Sequence, residues 1–222
     1  MTAHDNLLSF IGSPVLSVAA TYVTANQPGK SHVYICGVVI RPDDTLLLTF
    51  PKGHQLSAED LVTLHLDNRT GVDEYDADLR VYRCSYKGRV SKLHDHQVVI
   101  TPIEFEVYYG IKVIYRFALP GYQHPQDDRH EHELPVTPLA DFPMPDLREV
   151  DNKIGVLVTQ AASQPHTTVL AFLSSDQDDI FFITFPETFK SKLLKRDHHC
   201  HFAIDARAVF TYTQAIEWNY TI

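Results

Sequence analysis

The apolar positions of this chain fall into short runs closed off by turn-forming residues, which is the pattern of strands rather than of long amphipathic helices. In the first half, residues 14–23, 32–41 and 45–50 predict three strands. Pro42-Asp43-Asp44 supplies the turn between the second and the third. Further strands are predicted at 80–86, 98–109 and 111–119. Two stretches read as helix. Asp5 or Asn6 is placed to cap Leu7-Leu8-Ser9-Phe10-Ile11. After residue 50 the period changes: Ser57 resembles an N-cap, Glu59 and Asp60 put acid in the first turn, and Leu61, Leu64 and His65 share one face.

The second half follows the same order. Strands are predicted at 154–159, 167–174 and 180–185, with a turn at 176–179. A helix is predicted over 187–195, where Phe189 and Leu193 are spaced i, i+4 and Lys190, Lys192 and Lys195 stay polar. Strands at 199–204 and 209–222 follow, and residues 144–150 are a weaker helix candidate at the start.

One motif ties the halves together. Asp43-Asp44-Thr45-Leu46-Leu47-Leu48-Thr49-Phe50-Pro51 aligns without gaps to Asp178-Asp179-Ile180-Phe181-Phe182-Ile183-Thr184-Phe185-Pro186. On either side the order of features is shared. Val15-Leu16-Ser17-Val18 and then Gln27-Pro28 answer to Ile154-Gly155-Val156-Leu157 and then Gln164-Pro165. Ile103-Glu104-Phe105 answers to Ile216-Glu217-Trp218. The chain therefore reads as an internal repeat. Its first module spans residues 1–122, a Pro-rich charged linker 123–146, and a shorter second module 147–222.

Composition narrows the function. Apolar residues make up 44 % of the 222, enough for a sizeable core. A formal net charge of −9 argues against a nucleic-acid partner and against a polybasic membrane anchor. No apolar run is long enough to span a bilayer, and residues 1–10 lack the basic start of a signal peptide. Cys36, Cys84 and Cys200 are odd in number and far apart, so neither a disulfide framework nor a zinc knuckle is indicated, and a reducing cytoplasm is the simplest setting.

A helix, three antiparallel strands, a helix after the third strand and then more strands is an order that resembles the FMN-binding split barrel, the fold of the pyridoxamine 5′-phosphate oxidase-like proteins. The likeness is best over residues 147–222. In that family the third strand ends in Thr and a Ser/Thr-x-Lys triplet opens the next helix; here these are Thr184 and Thr188-Phe189-Lys190. A hydroxyl and an ammonium at a helix N-terminus suit a phosphate. The resemblance implies a mainly β fold with a few short helices, built as tandem split-barrel-like modules. It further implies an FMN phosphate held by Thr184, Thr188 and Lys190, with Trp218 beside the flavin ring, and an FMN-dependent oxidoreductase as the activity. Family members pair two barrels, so the repeat implies an intramolecular pseudo-dimer or a homodimer. Departures are visible as well. Phe189 stands where the oxidase has Arg, and Thr167, Thr168 and Phe172 stand where it has further basic residues. They point to a second function class, a ligand-binding or interaction module whose cofactor site has degenerated.

Two other constellations carry chemistry on paper. Pro51-Lys52-Gly53-His54, then Glu59 and Thr70-Gly71-Val72, resembles a Nudix box, although the Arg-Glu and Glu-Glu pairs that hold Mg²⁺ are missing. That alternative makes residues 1–122 a degenerate Nudix-like hydrolase domain. His198-His199-Cys200-His201 offers two His on one strand face without a third ligand at fixed spacing. Haem-handling relatives of the split barrel keep a His-ligated haem among the expectations. No nucleophile elbow, P-loop or dinucleotide fingerprint occurs.

Overall fold

The computed structural model describes residues 6–22, 31–68, 81–110, 112–133, 154–174, 180–205 and 220–221. The chain is mainly β. Seven strands of the first half form one antiparallel sheet: β1 (Val15–Tyr22), β2 (Ser31–Ile40), β3 (Leu46–Thr49), β4 (Leu61–Asp67), β5 (Tyr82–His94), β6 (Gln97–Tyr109) and β7 (Lys112–Ala118). They run in the order β3-β2-β1-β4-β5-β6-β7, and β3 also pairs with β6, Leu46 opposite Ile100 and Leu48 opposite Val98. That extra ladder closes six strands into a barrel, with β7 continuing outside it.

Alternation decides what fills the barrel. Cys36, Val38 and Ile40 of β2 point inward with Leu46 and Leu48 of β3, Cys84, Tyr86 and Val90 of β5, and Val98 and Ile100 of β6. The short helix α1 (Leu7–Ile11) adds Leu7 and Ile11 to this core. Its start is fixed by a reciprocal cap: Asn6 Oδ1 accepts from Ser9 N at 2.9 Å, and Ser9 Oγ accepts from Asn6 N at 3.2 Å. The backbone N–H of Leu7 donates to Asp44 Oδ1 at 2.9 Å, which ties the helix to the β2–β3 turn.

The helix expected after Ser57 is not formed. Asp60 accepts from Ser57 N at 2.7 Å in a tight turn, and Leu61–Asp67 is strand β4. Its period is two rather than 3.6: Val62, Leu64 and Leu66 face the barrel interior, so Thr63, His65 and Asp67 face outward. All six are buried, because the outer face of β4 is covered as well. Leu61, Leu64 and His65 fit a helical face by spacing alone; continuous burial on both sides selected the strand.

The cover comes from the second half. β8 (Ile154–Thr159), β9 (His166–Ala171), β12 (Cys200–Asp205) and β13 (Tyr220–Thr221) form a four-stranded sheet in the order β13-β12-β8-β9. β10 (Leu173–Ser174) pairs with β11 (Ile180–Phe181), and helix α2 (Phe189–Arg196) follows, within two residues of its expected limits. The second sheet repeats the pairing of β2, β1 and β4. Val18 on β1 lies between Ile35 and His65, and Val156 on β8 lies between Val169 and Ala203. These corresponding positions meet face to face: Val18 and Ala20 pack with Val156, Val158 and Ala203, flanked by Val33 and Ile35.

Polar contacts lock the two sheets. Thr63 Oγ1 donates to Pro165 O at 2.6 Å, Gln160 Nε2 donates to Ser31 Oγ at 2.8 Å, and the Tyr22 hydroxyl accepts from Ala161 N at 2.8 Å. The first part of the expected linker is an extended strap held by Arg129, whose guanidinium makes two bonds to Asp127 at 2.9 and 2.8 Å and one to Gln160 O at 2.9 Å. Residues 134–146 of the linker, and the helix expected at 144–150, lie outside the described residues.

The shared Asp-Asp motif ends in opposite environments. Leu48 and Phe50 are 0 % and 1 % exposed, whereas Ile183 and Phe185 are 99 % and 81 % exposed. In the barrel, β6 pairs with the outer edge of β3, so the sheet closes around the inward side chains of β3. Among the described residues β11 pairs with β10 alone.

Candidate functional site

Helix α2 begins at Phe189, with Thr188 as an extended N-cap residue. The Thr188 hydroxyl does not cap the helix; it donates to Phe185 O at 2.9 Å and lies 3.0 Å from Thr184 Oγ1. The first-turn N–H groups thus have no side-chain acceptor from their cap. Lys190 sits in that turn. Burial pulls its ammonium below the usual lysine range, and it has no ion-pair partner among the described residues. The structure therefore brings Thr184, Thr188 and Lys190 to one helix start. Trp218 lies outside the described residues.

Phe189 takes a different place from the one its position in the triplet suggests. Its ring stands edge-on between two imidazoles, His166 at 4.9 Å and His124 at 5.1 Å. His166 opens β9 directly after Pro165, the residue that Thr63 of β4 anchors. The strand neighbour of Thr63 on β5 is Lys87, ion-paired with Glu104 of β6. This register carries Lys87 toward His166. His124 arrives from the strap, just past the turn in which Tyr122 N donates to Leu119 O at 3.0 Å.

His166 is thus a meeting point. Burial, and then the positive fields of Lys87, His124 and Lys190, pull its pKa down to about 3. It is neutral at pH 7, and its Nδ1 is buried without a hydrogen-bond partner. The residue directly across from it on β8 is Thr159, 1 % exposed, whose hydroxyl is also buried and unpartnered. Cross-strand partners point to the same face of a sheet, so two unsatisfied polar groups lie side by side.

The depressed imidazole has a consequence for stability. An unfolded His titrates near 6.5, so between about pH 6.5 and 3 the unfolded chain binds the extra proton and the folded chain does not. This group's contribution is whole above about pH 6.5 and is lost as pH falls toward 3, at up to about 1.4 kcal/mol per pH unit. In urea unfolding at pH 6.5 and 4.5, His166→Asn is expected to lose about 1–2 kcal/mol less than wild type. Equal losses would refute this coupling.

The other sequence candidates resolve differently. The Nudix reading needs a glutamate-bearing helix after Gly53; those residues form a turn and strand β4, and Glu59 pairs with Arg89 at 3.3 Å. His198 and His199 stack at 4.4 Å and His199 Nδ1 bonds Asp197 at 2.9 Å, but among the described residues no group of three His, Cys, Asp or Glu is placed to hold a metal ion. No helix among them is long and apolar enough to cross a membrane.

No family model, no curated protein and no solved structure matches this chain. Function must be argued from its own residues. Sequence reasoning found the helix start and missed His166, Thr159, His124 and Lys87, which come together only through tertiary pairing.

Proposed function

We propose that this chain is a duplicated split-barrel protein that binds FMN, with the flavin phosphate at the start of α2. The observation that carries the reading is Lys190: a half-buried ammonium with no ion-pair partner among the described residues, beside uncapped helix N–H groups and two threonine hydroxyls. Such a cluster favours a dianionic group. A closed six-stranded barrel, β1-β2-β3-β6-β5-β4, stands in the first half, next to the sheet that carries α2. The departure at Phe189 is offset in kind. Positive or protonatable groups reach this region from Lys87 and His124 instead, while the Phe189 ring packs against the imidazoles of His166 and His124. In a flavoprotein of this type the cofactor carries the electron transfer and the protein supplies binding and electrostatics, so an FMN-dependent oxidoreductase is the activity class to assay.

Titration of FMN followed by flavin fluorescence tests the reading. Wild type is expected to bind, and Lys190→Ala to bind roughly 10- to 150-fold more weakly, the cost of one charged phosphate contact. Wild type that leaves flavin fluorescence unchanged overturns it. One observation favours a second reading, an interaction module: Ile183 and Phe185, two positions apart, are both exposed apolar side chains.

A further inference from the structure

The phosphate contacts expected from the sequence all come from one side, the α2 start. The β8–β9 hairpin meets that start where His166 packs on Phe189, and in the hairpin Thr159 Oγ1 and His166 Nδ1 are both buried and both lack a partner among the described residues. A buried hydroxyl and a buried imidazole nitrogen without hydrogen bonds are costly, and native proteins leave few of them. The two lie at directly opposed positions of one antiparallel pair, and α2 packs against its β8 strand. The His166 ring touches Phe189, the residue before Lys190.

We infer that Thr159 and His166 form the second wall of an oxyanion site whose first wall is Lys190 and the N-terminus of α2, and that its ligand is a phosphate monoester or inorganic phosphate. The chemistry matches on each side. A neutral imidazole with its proton on Nδ1 donates one hydrogen bond, the threonine hydroxyl donates another, and the ammonium and helix N–H groups supply the positive field. Lys87 adds to that field from the barrel, tempered by Glu104 at its side, and His124 faces the same region from the strap. An occupant of this site would touch the second sheet and α2 and feel the barrel. Its binding would then tighten the junction between the two halves.

The inference deepens the FMN reading by assigning new residues to the phosphate end, but it can fail or hold separately. The test is calorimetric titration of the full chain with inorganic phosphate, FMN and riboflavin, on wild type, Thr159→Val, His166→Leu and His166→Asn. Thr159→Val keeps shape and removes only the hydroxyl. His166→Asn keeps a donor near the Nδ1 position and controls for folding. Expected are phosphate binding to wild type, about 10-fold weakening in Thr159→Val and in His166→Leu, and recovery of most of the affinity in His166→Asn. Wild type that binds no phosphate, or variants that bind it as wild type does, overturn the inference. Phosphate binding without FMN binding keeps the site and sinks the flavin. FMN binding that is sensitive to Lys190→Ala but indifferent to both hairpin variants does the reverse.

Discussion

Phe105→Ala is expected to lower stability by about 3–5 kcal/mol, the cost of an aromatic ring removed from a packed core. Phe105 is fully buried near the middle of β6. Its ring stacks on Tyr86 at 5.4 Å and on Phe117 at 5.3 Å, and lies 5.9 Å from Tyr115. It therefore joins three strands, β5, β6 and β7, in one aromatic column. Tyr86 cannot swing into the void, because its hydroxyl donates to Asp44 O at 2.9 Å on the far side of the barrel. The cavity stays open, which places the cost toward the upper part of the range. Urea unfolding of the two proteins checks the number. A loss under about 1 kcal/mol would mean that the column carries no load.

A second large effect is expected from adding atoms. Gly88 on β5 lies at a register shift against β6, and the backbone comes so close there that a Cβ would stand 2.6 Å from Thr101 O and 2.8 Å from a Tyr86 ring carbon, with Ile100 nearer still. Thr101 O is backbone and cannot rotate away. Gly88→Val is expected to cost about 3 kcal/mol, the upper end of ordinary overpacking. Gly37→Val on β2 is the matched control, since a Cβ at that position meets nothing within 4 Å. Thermal unfolding of both variants separates close approach from a general intolerance of change at glycine. Equal melting temperatures would refute the assignment.

Much of this architecture is legible in the sequence, for a physical reason. Within Gln97–Tyr109, Ile103, Phe105 and Val107 alternate with Glu104 and Glu106, because one face is core and the other is less buried, and alternation survives in the letters. α2 is legible through Phe189 and Leu193 against three lysines. β4 is misread because Ser57, Glu59 and Asp60 have the letters of a helix start, whereas Asp60 closes a turn. Val62, Leu64 and Leu66 do alternate with Thr63, His65 and Asp67, but the polar half of that alternation is buried under the second sheet. The covering sheet lies about a hundred residues later in the chain, as the pairing of Thr63 with Pro165 illustrates.

The candidate site divides along the same line. Thr184, Thr188 and Lys190 are neighbours in sequence, so a motif can hold them. His166, Thr159, Lys87 and His124 belong to three separate stretches. What joins them is the register between β8 and β9 and the anchoring of Pro165 on β4, information that a linear pattern does not display. Phe189 illustrates the difference. As a letter in a triplet it is a missing cation; in space it is the ring between two imidazoles.

The ladder between β3 and β6 also sets a schedule for the growing polypeptide. Leu46 finds Ile100, and Leu48 finds Val98, only after some fifty further residues have been made. During synthesis β1, β2 and β3 can zip together as soon as they emerge, because their partners are local. The outer edge of β3 then waits, unpaired, until Gln97–Ile100 leaves the ribosome. Non-local pairings of this kind are slow to form and prone to association while they are incomplete. The interval between those two events is when this chain most needs shielding from its neighbours.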